Sequence, residues 1–71
     1  MKTFEELTGQ TFQGIHIALG LKAALKCANV YADYTMLIHD HNFSKYEMSI
    51  MEAFFTSYIR IVLEAAGKEL K

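Results

Sequence analysis

Apolar residues recur along this chain at intervals of three and four rather than two, and proline is absent, so the pattern predicts α-helix almost throughout. Between about residue 11 and about residue 40, one row of positions alternates steps of four and three: Ile17, Leu21, Ala24, Ala28, Tyr31, Thr35 and Ile38. That is the spacing of a heptad seam, and it predicts one long helix. A second helix, over about 45–66, carries Met48, Met51, Phe55, Tyr58, Val62 and Ala65 in the same alternation. Ahead of both, the stretch TFEELTG predicts a short helical turn, with Thr3 as its cap, Glu6 three residues on and Gly9 to end it.

The segment IHDHNFSKYEM lies between the two helices. Ser44 followed three residues later by Glu47 has the form of a capping box, and Phe43 and Met48 stand where a hydrophobic staple places its two residues. His39 and His41 then fall at the end of the preceding helix, where an imidazole can serve unpaired carbonyls and sits well in the negative end of the helix dipole. The segment therefore predicts a tight corner, and the fold class is all-α: an antiparallel helical hairpin behind a short N-terminal helical turn. Centring the corner near Phe43 sets Ile38 against Met48, Tyr31 against Phe55, Ala24 against Val62 and Leu21 against Ala65. The expected hairpin core is Leu21, Ala24, Ala28, Tyr31, Ile38, Met48, Met51, Phe55, Tyr58 and Val62, with small residues meeting larger ones away from the corner.

That seam does not use all the apolar residues. On the first helix, Phe12, Leu19, Ala23, Val30 and Leu37, flanked by His16, Cys27 and Tyr34, form a second stripe roughly 120° from the first. On the second helix Ile50, Phe54 and Ile61 form another, about 100° from its seam and on the same side of the hairpin. A lone hairpin has nothing to cover them, and a contiguous apolar patch of that size on a monomer is a liability. A second copy of the chain would cover it, giving a dimeric four-helix bundle whose interface is Phe12, His16, Leu19, Ala23, Val30, Leu37, Ile50, Phe54 and Ile61. The long helix also overhangs the second by roughly two turns, so either Phe4 and Leu7 or a neighbouring subunit must fold over the end that carries Phe12. Ile15 and Met36 fall among Lys22, Lys26, Asn29 and Asp33 on the expected solvated side.

Composition sharpens that picture. With 52% of its 71 residues apolar or aromatic, the chain exceeds the roughly 45–50% of ordinary domains, which strengthens the case for a partner surface on what must be a single domain, 1–71. The formal charge of -1 is spread without runs, which gives no footprint for a nucleic-acid backbone. Lys22, Lys26 and Asp33 in one apolar stretch, and Glu52 and Arg60 in the other, exclude a membrane span. The start MKTFEEL is acidic where a secretion signal is basic, and Cys27 is a lone cysteine, so a reducing, cytoplasmic location is expected.

Candidate chemistry is sparse. His39, Asp40 and His41 are the only candidate metal cluster, but histidines two apart point to different sides of a helix and the ligand set is incomplete. Cys27 and His16 are about three turns apart on one predicted helix and cannot meet as a nucleophile and base. No cofactor is implied. The first expectation is a non-enzymatic, homo-oligomeric protein that acts by protein–protein interaction as an adaptor, regulator or inhibitor. The alternative is a small-molecule or nucleotide site between subunits, lined by Tyr34, His16, Cys27 and Lys26. A metal-dependent activity at His39, Asp40 and His41 comes third.

Overall fold

A computed structural model describes residues 1–70, and among these it forms four α-helices: α1 (Phe4–Thr8), α2 (Phe12–Leu19), α3 (Leu21–Asp40) and α4 (Lys45–Glu69). Three of the four starts are fixed by a side-chain cap. Thr3 accepts from the Glu6 amide while the Glu6 carboxylate accepts from the Thr3 amide, closing a capping box on α1. Thr11 accepts from the Gly14 amide at the head of α2. At the head of α4, Ser44 Oγ accepts from the Glu47 amide at 3.2 Å, and Glu47 Oε1 accepts from the Ser44 amide at 3.0 Å. Each pair supplies partners to amides that an α-helix leaves unbonded in its first turn.

The exception is α3, and it corrects the expectation of one helix over 11–40. Gly20 breaks that span, with φ 95° and ψ 163°, a conformation open essentially to glycine alone. Its amide donates to the His16 carbonyl at 2.9 Å and so ends α2, while its own carbonyl accepts from Ala24 at 3.2 Å and so begins α3. The bend re-aims α2. Ile15, expected on the solvated side, is wholly buried (0% exposed).

α3 and α4 lie antiparallel, joined by residues 41–44: Tyr34 meets Glu52 and Phe55, and farther from the corner Ala23 shares a groove with Val62 and Ala66. α4 runs on to Glu69, past the expected end near 66, with Gly67 accommodated within the helix. The buried core is Leu7, Ile15, Ala23, Ala24, Cys27, Tyr34, Phe55 and Ile59. Its α3 residues lie between the two predicted stripes. Ala24 and Phe55 of the expected seam are buried, and Ala28, Tyr31, Ile38, Met48, Met51 and Val62 are half-buried. Leu21 and Tyr58 are displaced from it, each 49% exposed. Tyr34, not Tyr31, packs on Phe55, with ring centroids 5.5 Å apart in an edge-on arrangement.

The N-terminal segment causes this rotation. α1 folds along the hairpin against both α3 and α4, burying Leu7 against a surface that includes Ile59 and Leu63. Phe4 packs edge-on against Tyr31 at 5.6 Å and tilted against Phe12 at 6.4 Å. Two hydroxyls hold the segment down: Tyr34 accepts from the Lys2 amide at 2.9 Å, and Tyr31 donates to the Lys2 carbonyl at 3.0 Å. With α1 on one side and α4 on the other, the buried strip of α3 widens and centres on Cys27. The Cα atoms extend over 41 × 17 × 15 Å, so across its long axis the molecule is only about two helices wide. A face that α1 and α2 leave open has nothing beyond it but solvent.

Candidate interaction face

One side of the α3–α4 hairpin is covered by α1, and the opposite side is bare. On α4, Ile50, Phe54 and Ile61 are 54%, 65% and 65% exposed and stand in one row, because steps of four and seven residues return to the same helix face. On α3 the facing row, seven residues apart, is buried Ala23, which lines a groove, half-buried Val30 and exposed Leu37. Between the rows run two shallow grooves. Near the corner, Leu37, Phe43, Ile50 and Phe54 line the first, whose wall is almost wholly apolar. Near the other end, Leu19, Ala23, Tyr58 and Ile61 line the second, with Lys22 and Lys26 on its rim. The accessible surface of 5090 Å² exceeds the roughly 4,500 Å² expected of a compact monomer of this mass.

Most of the residues expected at an oligomer interface come together here: Leu19, Ala23, Val30, Leu37, Ile50, Phe54 and Ile61. Two do not. Phe12 and His16 belong to α2, beyond the bend at Gly20, and the Phe12 ring turns toward Phe4 instead. Tyr58 joins the face although its spacing assigns it to the hairpin core, because the hairpin is rotated about its seam. The charged rim lies outside that expectation too. Lys22 and Lys26 edge one end, and Asp33 and Asp40 edge the other beside Leu37 and Phe55. The signal was present as two charge pairs of opposite sign on one helix face, at steps of four and seven.

Of the candidate chemical residues, Lys26 and Asp40 stand on the rim of this face. His39, Asp40 and His41 are all exposed. His41 Nδ1 lies 3.2 Å from the Leu37 carbonyl, its amide donates to the same carbonyl at 3.1 Å, and its ring stacks on Phe43 at 5.4 Å. Among the described residues, no group of three or more His, Cys, Asp or Glu side chains is gathered in a way that could hold a metal ion. Cys27 is a free thiol, fully buried, and burial pushes its pKa above the ordinary thiol value, so the nucleophilic thiolate is disfavoured. Tyr34 is likewise enclosed. Burial raises the pKa of its phenol first, opposed by the Lys2 amide and reinforced by Glu52, to which the hydroxyl donates at 2.9 Å. A ligand site built from Tyr34, His16, Cys27 and Lys26 therefore loses two members to the protomer's own core.

No helix among the described residues is long and apolar enough to cross a membrane. Comparison of the chain with protein-family models, with curated proteins and with solved structures returned no match.

Proposed function

We propose that this chain is a small non-enzymatic helical module of the cytoplasm that self-associates through the bare α3–α4 face and acts by protein–protein interaction, as an adaptor, regulator or inhibitor. The observation that carries the reading is the exposure of Ile50, Phe54 and Ile61 in one row beside Leu37, on the side that α1 leaves open. Burying such side chains is worth roughly 1.5–3 kcal/mol each, so a second apolar surface against them is strongly favoured. The face measures about 30 Å along α3 and about 20 Å across two helices. Roughly 600 Å² per copy is at the lower bound of what stable protein–protein interfaces bury.

Sedimentation equilibrium tests it directly. The wild-type chain is expected as a dimer or higher oligomer, with a melting temperature that rises with protein concentration. Phe54→Glu sets a carboxylate in the middle of the face and is expected to shift the protein to monomer and lower its melting temperature sharply. A wild-type monomer whose melting temperature is independent of concentration would sink the proposal.

A further inference from the structure

The bare face has an internal symmetry that says how a second copy would lie on it. On α4 the sequence of the face is Glu47, Ile50, Phe54, Ile61, Ala65, Lys68, with steps of three, four, seven, four and three. Its spacing reads the same from either end, and one end carries Glu47 while the other carries Lys68 beside Glu69. Its midpoint falls between Ser57 and Tyr58. On α3 the apolar row Ala23, Val30, Leu37 is symmetric about Val30, and its edge carries Lys22 and Lys26 on one side of that centre and Asp33 and Asp40 on the other. The two midpoints are level. Tyr34 meets Glu52 and Phe55, and Ala23 shares a groove with Val62 and Ala66, which sets Val30 near the turn at Ser57 and Tyr58.

Resting on the self-association proposed above, we infer that a second copy covers this face about a two-fold axis running across the helices, level with Val30 and Tyr58. α3 then packs antiparallel on the second copy's α3, and α4 on its α4. Ala23 faces Leu37 of the second copy, Val30 faces its own equivalent, and Phe54 faces Ile61. At the rim, Lys22 and Lys26 face Asp40 and Asp33 of the second copy, and Glu47 faces Lys68.

A two-fold along the helix axes is the competing closed arrangement, and the charges disfavour it. That axis keeps each residue at its own level and sets α3 against the second copy's α4. Asp40 would then meet Glu47, which lines the neighbouring groove at the corner end, while Asp33 lies level with Phe54. At the far end Lys22 would meet Lys68, with Glu69 in the same groove to moderate the repulsion. Like charges opposed at an interface cost several kcal/mol and select against that partner geometry. The transverse axis turns the α3 contacts into opposite-charge pairs and sets Glu47 against Lys68, with Glu69 beside it.

A charge-swap experiment separates the two. The pairs Lys22→Glu with Lys26→Glu, and Asp33→Lys with Asp40→Lys, change exposed side chains only. At low salt each paired variant alone is expected to self-associate at least tenfold more weakly than wild type. Their equimolar mixture is expected to restore wild-type affinity as a heterodimer, resolved by mass in native mass spectrometry. As an independent readout, Val30→Cys is expected to give a covalent dimer on mild oxidation, since Val30 lies on the axis and native Cys27 is buried. Unchanged self-association of both charge variants, or a cysteine at position 30 that bonds only to Tyr58→Cys protein, would overturn this axis and leave wild-type self-association standing. A monomeric wild type would overturn both readings.

Discussion

The Tyr34 hydroxyl donates to Glu52 Oε2 at 2.9 Å from within the core, and the phenol oxygen of Tyr34 itself accepts from the Lys2 amide at 2.9 Å. One phenol thus ties α3 to α4 and the N-terminal segment to both, and no buried side-chain nitrogen or oxygen among the described residues lacks a partner. Tyr34→Phe keeps the ring against Phe55 and removes both bonds. The expected cost is about 1–2 kcal/mol in urea unfolding, accompanied by faster proteolysis within residues 1–8. Tyr34→Ala also removes a ring packed on Tyr31 and Phe55, about 3–5 kcal/mol, which a chain of this size is not expected to survive folded.

The second prediction concerns the bend. A side chain at Gly20 meets nothing within 4 Å, so the obstacle there is the backbone conformation and not space. Gly20→Ala is expected to destabilise by about 1–3 kcal/mol. If the variant relieves that strain by running α2 straight into α3, it takes Ile15 out of the core, and circular dichroism will show helix content kept while the melting temperature falls. An unchanged melting temperature would mean that α2 does not depend on this turn.

This bend also marks where the sequence stops being legible. Caps are local: Ser44 with Glu47, and Thr3 with Glu6, can be read from residues three apart, because the hydrogen bonds they make lie within one helical turn. A glycine inside an amphipathic run is different. Gly14 lies inside α2 and Gly67 inside α4, while Gly20 ends a helix, and the periodicity around each looks alike. What decides is tertiary: α2 must turn so that Ile15 is buried with Leu7 and Ile59. The same limit explains the seam. Cys27 and Tyr34 sit between two stripes on the wheel and look like flanks of either, until α1 covers one side of the hairpin and makes them its centre. The row Ile50, Phe54, Ile61 was legible because α1 does not reach it.

Cys27 supplies the third prediction. With its side chain fully buried and its thiol pKa raised by that burial, it is expected to react with a thiol reagent orders of magnitude more slowly in the native protein than in urea. Its native rate should report global opening and fall as wild-type protein concentration rises, if folding and association are coupled. Rapid labelling with the helix signal intact would show that the core between α3 and α4 opens on its own.

The corner makes stability depend on pH. The Ser44 amide and hydroxyl bond to the Glu47 carboxylate and backbone, and the amide bond above all holds the Glu47 pKa below the ordinary carboxylate value. Glu6 is lowered in the same way by Thr3. A carboxylate whose pKa is lower folded than unfolded stabilises the fold above its unfolded value, about 4.3, and that contribution is lost as pH falls through the folded value. The melting temperature is therefore expected to hold from neutral pH down to about 5 and to drop below about 4.5. Glu47→Gln should reduce that drop, since an amide can still accept from Ser44 but does not titrate. Ser44→Ala should cost about 1 kcal/mol at neutral pH. His39→Gln combined with His41→Gln, or treatment with a chelator, should leave the neutral-pH melting temperature nearly unchanged, because His41 contributes a cap contact and a ring stack at an exposed corner. Collapse of the fold under both treatments would show that these histidines hold a metal.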